Sequence, residues 1–377
     1  ATRSPIGKAF KGSFTELRGD DLCARIVRAA LDQLPDPDAV AKRIEDVVVG
    51  CAQPAGEQGY NLGRAVSLLA GLQDVPGATV NRYCSSSLQA IRMAHHAIAA
   101  GEGDVFIAAG VECVSRFKFG KADGMEDTKN PRFLLGGGLP QYYLGMGLTA
   151  ENVADARGVT REAQDAFAAR SQQRAVLARE SGVFAAEITP IETSAGAIAH
   201  DDCPRAGTTA EKLAGLRTVF RDDGTVTAGN CCPLNDGAAA VVVMSEAAVR
   251  EFGLTPRARI VSTAVTALNP ELMGLGPIES SRRALARAGL TMADMDVVEI
   301  NEAFAAQVIP CAESLEIPDD RLNVHGGAIA LGHPFGMTGA RIAVTLLNAL
   351  ERRGGRYGLE TMCVGGGQGM AMVIERL

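Results

Sequence analysis

Along the chain, stretches with helical spacing of apolar residues alternate with short continuous apolar runs. DDLCARIVRAALDQL (20–34) is amphipathic and predicts a helix, while IEDVVVG (44–50) predicts a short buried strand. LGRAVSLLAGL (62–72) predicts a helix, and GATVNRY (77–83) a strand running into Cys84. SSLQAIRMAHHAIAAG (86–101) predicts a helix ended by Gly101, and DVFIAAGVE (104–112) a strand. The order then returns. SSRRALARAGL (280–290) predicts a helix, DMDVVEINEAF (294–304) a strand and turn, and RLNVHGG (321–327) a strand. TGARIAVTLLNALERRGG (338–355) predicts a helix, YGLETMCVGGG (357–367) a strand, and MAMVIERL (370–377) a closing strand. Asp46-Val47-Val48 and Asp296-Val297-Val298 occupy the same place in each half. Alternating strands and helices imply a mixed α/β fold. The duplicated order implies two similar halves packed together.

Between the halves, residues 114–233 read differently. SRFKFGKADGMEDTKNPRF (115–133) is charged and lacks strand periodicity. Helical patterns follow at TAENVADARG (149–158) and TREAQDAFAARSQQRAVLARESG (160–182), the second with a start signal at Thr160. The segment closes with HDDCPRAGTTAEKLAGLR (200–217). An insertion of this size between repeated units is expected to carry function, such as closing over a ligand.

Composition narrows the function classes. The 377 residues are 47% hydrophobic, enough for a sizeable core. The net charge of −7 and the lack of a basic stripe argue against a nucleic-acid partner. No uninterrupted apolar run reaches the roughly 18 residues of a membrane span. Nine cysteines without framework spacing are expected to be free thiols in a reducing, cytoplasmic setting. No CxxC is present, which argues against zinc. His95-His96 fall in a helical pattern and are expected to be ordinary surface or packing residues. The chain opens at Ala1 on ATRSPIG, which reads like the end of a strand entering a loop. Residues are therefore expected to precede this numbering.

Four stretches carry candidate chemistry. In NRYCSSSLQAI (81–91), Cys84 joins a strand to a helix. Backbone N–H groups at a helix N-terminus favour an anion, so its thiol is expected to have a lowered pKa. The structural alternative is a small buried thiol. In GGAIALGHPFGMTGAR (326–341), His333 sits in a glycine-rich strand-to-helix turn where Pro334 disfavours helix. That restriction suits a general base, although a loop histidine is the plainer reading. CVGGGQG (363–369) places Cys363 after a strand and before a run of glycines. A strand follows, not a helix, so a dinucleotide loop is excluded. Exposed backbone amides there suit an oxyanion hole. In NEAFA (301–305), Asn301-Glu302 follow a buried strand and either orient a group or cap the strand.

Taken together, NRYCSSS, NEAFA, GGAIALGHPFGMTGAR and CVGGGQGMA, in that order, resemble the four signatures of the thiolase family. MGLTAENVA (146–154) and TVTAGN…LNDGAAA (225–240) fit the same family. The resemblance spans essentially the whole chain. It implies a thiolase-like fold of two duplicated mixed-sheet αβαβα halves plus an inserted loop domain. The N-terminal half is expected at 1–113, completed by 234–256. The loop domain, binding CoA and the acyl chain, is expected at 114–233, and the C-terminal half at 257–377.

The resemblance further implies reversible thiolytic cleavage of 3-ketoacyl-CoA to acetyl-CoA and a shortened acyl-CoA. By analogy Cys84 carries the acyl group as a thioester, His333 is its base, and Cys363 moves the proton at carbon. Asn301 holds a water that forms one oxyanion hole with His333, and the backbone N–H groups of Cys84 and Gly365 form the second. Arg205 corresponds to a residue near the CoA nucleotide, and Phe304 and Met146 to the acyl and pantetheine pocket. Cys232 stands where the family has a serine contacting pantetheine, which puts that contact in doubt. Gly145 replaces the histidine of short-chain biosynthetic members, which leans toward a degradative enzyme. Biosynthetic condensation of acetyl-CoA is the alternative. A ketoacyl-synthase type is disfavoured by Cys363, and a non-catalytic lipid carrier by the presence of all three reactive residues. Coenzyme A enters as substrate, no permanently bound cofactor or metal is implied, and family members are homodimers or homotetramers.

Overall fold

A computed structural model describes residues 1–117 and 129–377. Two short strands, β1 (Thr2–Arg3) and β2 (Gly7–Lys8), precede α1 (Gly19–Asp32) and α2 (Pro37–Ala41). The Asp36 carboxylate caps α2 by accepting the Ala39 N–H. Then β3 (Ile44–Gly50), α3 (Leu62–Leu69), β4 (Gly77–Val80), α4 (Ser86–Ala100) and β5 (Val105–Cys113) alternate. The inserted stretch holds α5 (Met146–Arg157), α6 (Arg161–Glu180), the ribbon β6 (Ile191–Thr193) and β7 (Gly196–Ile198), and α7 (Ala210–Ala214). Thr160 caps α6 through the Ala163 N–H. Part of the charged run 115–133 lies outside the described residues. The chain then makes β8 (Asn235–Met244) and α8 (Glu246–Glu251).

The second half runs β9 (Ala258–Ala267), α9 (Gly276–Ala288), β10 (Val297–Ile300), α10 (Ala305–Ser314), α11 (Ala328–Leu331), α12 (Thr338–Arg353), β11 (Tyr357–Val364) and β12 (Gln368–Arg376). The first sheet has the order β1-β8-β5-β3-β4, and the second β10-β11-β12-β9. β9, β10, β11 and β12 repeat β1, β3, β5 and β8. The Asp-Val-Val segments of β3 and the β10 entry are therefore equivalent, as their spacing implies.

The counterpart of β4 departs from expectation. RLNVHGG forms no strand, only one parallel bridge between Leu322 and Val298. Asn323 takes φ +44°, which bends the chain away. Its side-chain amide replaces the lost ladder, accepting the Ile300 N–H at 2.9 Å and donating to Ile300 O at 2.9 Å. GATVNRY is likewise shorter than expected, its strand ending at Val80.

The layers follow from which faces are apolar. Leu88 and Ile91 of α4 and Ala340, Val344 and Leu346 of α12 share one core with Val48 and Ala108 of the first sheet and Met362 and Val364 of the second. The two helices thus form a middle layer between the sheets. α1 and α3 cover the far face of the first sheet, and α9 and α10 that of the second. Each fully buried leucine here, such as Leu88 or Leu346, contributes about 1.5–3 kcal/mol. The Ala340 N–H donates to Ser87 Oγ at 2.8 Å, locking the first turns of α4 and α12 together. Their N-termini therefore meet, and both lead out of the candidate motifs.

Candidate active site

Cys84 lies in a tight turn, Tyr83–Ser85, that feeds α4. Tyr83 adopts φ +43°, a conformation uncommon for a residue with a Cβ. The turn is held by the Tyr83 N–H donating to Asn81 Oδ1 at 2.8 Å and Ser86 Oγ donating to Tyr83 O at 2.6 Å. The Cys84 N–H and the Gly365 N–H both point at the Cys84 sulfur. The expected lowering of its pKa is not what the structure gives. Burial pushes the thiol up to about 11, and the two amides offset only part of that cost. The two backbone amides act in the expected direction, but desolvation of the thiolate outweighs them.

Cys363 stands within β11, one residue before its end, not after it. The three glycines 365–367 form the hairpin turn to β12, with Val364 paired to Gln368. The Cys363 thiol is buried and donates to Gln307 Oε1 of α10 at 3.2 Å. Burial first, then the neighbouring Cys84, raises its pKa well above the ordinary thiol value. Cys84, Cys232 and Cys363 are close enough to influence one another's ionisation.

His333 follows α11, so its turn leads from a short helix, not from a strand. Gly332 is needed there. It has φ +113°, and a Cβ would lie 2.6 Å from the Asn235 side chain. Asn235 Oδ1 accepts the His333 N–H at 3.0 Å. Thr338 Oγ1 donates to Pro334 O at 2.8 Å, so it accepts at its 2.6 Å contact with His333 Nδ1. The ring proton is therefore on Nδ1, and Nε2 offers its lone pair. Asn301 Nδ2 faces that nitrogen at 3.3 Å. Burial, and next the Arg341 charge, lower the His333 pKa to about 3. In the resting site both imidazole and thiol are neutral. Asn301 Oδ1 is buried without a partner among the described residues.

Asn301 and Glu302 have separate tasks. Glu302 turns away from the histidine, accepting from Ser171 Oγ at 2.6 Å, Asn323 Nδ2 at 2.8 Å and the Ile329 N–H at 3.2 Å. It ties α6, β10 and α11 together. Glu112 does the same beneath Cys84. Its carboxylate accepts from Ala52 N–H, Gln53 N–H, Gln58 Nε2 and the Gly336 N–H of the histidine turn.

One apolar wall joins Phe304 and Cys363 with Met146, Cys231 and Cys232 packed on it. The Cys232 N–H donates to Ala303 O at 3.0 Å, and the Phe304 ring meets Phe220 edge-on at 6.1 Å. Arg205 is not part of this group. Its side chain is exposed, and its N–H donates to Gln172 Oε1 at 2.8 Å. Thr338, Gln307, Asn235 and Glu112 were not singled out by sequence reasoning. Thr338 had a signal as the first residue of a helix directly after the HPFGM turn, and Asn235 lies inside LNDGAAA.

The site thus offers two thiols, a neutral imidazole whose Nε2 lone pair faces Asn301, and converging amides at a half-exposed turn. The thiolase N-terminal domain family matches residues 1–247, and the thiolase C-terminal domain family residues 254–376. The chain is 48% identical to a 3-oxoadipyl-CoA/3-oxo-5,6-dehydrosuberyl-CoA thiolase of Escherichia coli, covering 100% of this chain and 98% of that protein. It is 47% identical to a beta-ketoadipyl-CoA thiolase of Pseudomonas aeruginosa, covering 100% and 98%. It is 46% identical to a 3-ketoacyl-CoA thiolase of Shewanella denitrificans, covering 100% and 97%. The crystal structure of the Bacillus anthracis acetyl-CoA acetyltransferase superposes with a TM-score of 0.88 at 38% identity, covering 100% of this chain and 97% of that one.

Proposed function

The chain belongs to the thiolase family of acyltransferases, and from that premise we propose that it cleaves 3-ketoacyl-CoA with free CoA in the degradative direction, through a thioester on Cys84. The carrying observation is the convergence of the Cys84 and Gly365 N–H groups on the Cys84 sulfur, with the Cys363 thiol beside it.

Cys84 attacks the keto carbon while His333 Nε2 takes its proton. A neutral thiol is a weak nucleophile, so this proton transfer accompanies attack. The developing oxyanion is stabilised by the two N–H groups, which are already aligned. The bond between C2 and C3 then breaks, and its electron pair goes to C2 of departing acetyl-CoA. The Cys363 thiol protonates that carbon and is left as thiolate. The enolate oxygen faces His333, now carrying its proton, and a water held by Asn301. Incoming CoA gives its proton to the Cys363 thiolate and attacks the thioester. Cys84 leaves and recovers its proton from His333, and the shortened acyl-CoA departs.

Met146, Phe304 and Cys232 form the wall for pantetheine and acyl chain in this reading, and Arg205 meets the CoA nucleotide. Residues 114–233 serve as the loop domain, between an N-terminal half at 1–113 with 234–256 and a C-terminal half at 257–377. Coenzyme A is substrate, with no permanently bound cofactor. The enzyme works as a cytoplasmic homo-oligomer. All nine cysteines are free, and no described helix is long and apolar enough to cross a membrane. Thiolysis of 3-ketoacyl-CoA esters of graded length tests the reading. CoA-dependent release of acetyl-CoA is expected, and its absence across the series would refute it.

A further inference from the structure

Beside the nucleophile stands a group that the mechanism does not use. The Tyr83 and Tyr142 hydroxyls lie 2.5 Å apart, joining the nucleophile turn to the segment before α5. Tyr142 rests on the glycine turn after Cys363. A Cβ at Gly366, which has φ +76°, would lie 2.4 Å from Tyr142 Cε2. The Tyr83 ring likewise lies over Gly365, 3.3 Å from where its Cβ would be. Phe133 and Tyr143 back the Tyr142 ring at centroid distances of 5.5 and 5.1 Å. Both tyrosines remain half-buried, so part of each side chain stays accessible.

Two phenols carry two protons, and their mutual bond uses one. No described residue accepts the other. Burial, and then the Tyr142 bond, raise the Tyr83 pKa, so the Tyr83 hydroxyl keeps its proton at neutral pH. The Lys129 ammonium lies 5.8 Å from the Tyr143 ring centroid, which brings positive charge to the same cluster. The pair is therefore a donor to acceptors and anions. Tyr83 directly precedes Cys84, and its hydroxyl is close enough to the Cys84 thiol for the thiol to affect its ionisation.

We propose that the Tyr83–Tyr142 hydroxyl pair determines acyl specificity, selecting 3-ketoacyl-CoA esters whose chain ends in a hydrogen-bond acceptor, specifically a carboxylate. This rests on the thiolase reading above. A 3-ketoadipyl ester would leave a succinyl group on Cys84, whose terminal carboxylate lies a short chain from the thioester and accepts the spare O–H. The relatives named for 3-oxoadipyl-CoA and beta-ketoadipyl-CoA agree with such a chain. A site built to donate a hydrogen bond discriminates strongly against an analogue that lacks the acceptor.

The test compares 3-oxoadipyl-CoA with 3-oxohexanoyl-CoA, equal in chain length and different in the terminal group. The wild-type enzyme is expected to favour the carboxylated ester in kcat/KM by about tenfold or more. The double variant Tyr83→Phe/Tyr142→Phe, which removes both O–H donors, is expected to lower that ratio by about tenfold. A merely structural clamp would depress both substrates together and leave the ratio unmoved. An unmoved ratio in the double variant, or no wild-type preference, would overturn the specificity assignment while leaving the thiolase reading intact. Cleavage of neither ester would overturn both.

Discussion

His333 Nδ1 and the Thr338 hydroxyl lie 2.6 Å apart, and the Thr338 O–H donates to Pro334 O at 2.8 Å. This chain of bonds leaves Nε2 as the basic nitrogen, facing Asn301 at 3.3 Å. Thr338 is thus a positioning residue that acts through the imidazole.

Thr338→Val is expected to lower kcat, with the KM for 3-ketoacyl-CoA little changed, because the histidine can then hold its proton on either nitrogen. The loss should be smaller than the about 10²–10⁴-fold of removing a general base outright. Thr338→Ser should restore most of the rate. Steady-state kinetics of the three proteins checks this, and an unchanged kcat in Thr338→Val would remove Thr338 from the account.

Gln307 Oε1 holds the Cys363 thiol at 3.2 Å. Gln307→Leu takes away that acceptor but leaves Cys84 and the Gly365 amide untouched. Overall thiolysis is expected to fall by about 2–10-fold, in line with one hydrogen bond. Acetylation of Cys84 by acetyl-CoA should keep its rate. Equal loss in both steps would show that Gln307 supports the site as a whole.

Arg205 projects an exposed side chain from a backbone tied to Gln172. If it meets the CoA nucleotide, Arg205→Ala raises the KM for CoA by about two- to fivefold, the range of an exposed ion pair. kcat should hardly move, the pattern for loss of uniform binding. A KM for CoA equal to wild type would leave Arg205 as a solvated charge.

Much of the architecture was readable because both halves keep strict helix and strand periods, and the motifs fall at their junctions. The exception is instructive. RLNVHGG has the composition of a strand, but the Asn323 amide substitutes for main-chain pairing, and no periodicity reveals that. Cys84 shows a second limit. Its place before a helix is visible in sequence, whereas the burial that raises its pKa depends on what packs over it. Gln307 sits in the apolar run AAQVIP and resembles an ordinary helix residue until β11 brings Cys363 against it. Tyr142 acquires meaning only through contact with Tyr83, 59 positions earlier.

A pH prediction concerns the middle layer. Glu299 and Glu360 are register neighbours on β10 and β11, both buried near Arg341. Burial raises Glu299 to about 8, with Arg341 opposing the rise and Glu302 and Glu187 adding to it. Burial also raises Glu360 well above the usual range. An unfolded glutamate titrates near ~4.3, so between that value and about 8 the folded protein holds more protons than the unfolded chain. This contribution is fully present below the unfolded pKa and is lost as pH rises through the folded one. Urea unfolding at about pH 5 and about pH 8 should show a decline in the wild type and a smaller decline in Glu299→Gln. An identical decline in both would mean that Glu299 is already ionised in the fold.

The division of labour between the two thiols is the centre of the account, and acetylation in the Cys363→Ala enzyme tests it most directly. Incubation with labelled acetyl-CoA, digestion and mass spectrometry locate the acetyl group, beside steady-state thiolysis of the same protein. Acylation by acetyl-CoA expels a thiolate and needs no proton moved at carbon. Cys363→Ala should therefore still carry acetyl on Cys84, while thiolysis falls by about 10²–10⁴-fold. Cys84→Ala should show neither. Acetyl on Cys363 and none on Cys84 in the wild type, or a Cys363→Ala enzyme that is folded by circular dichroism yet as unreactive toward acetyl-CoA as Cys84→Ala, would contradict it.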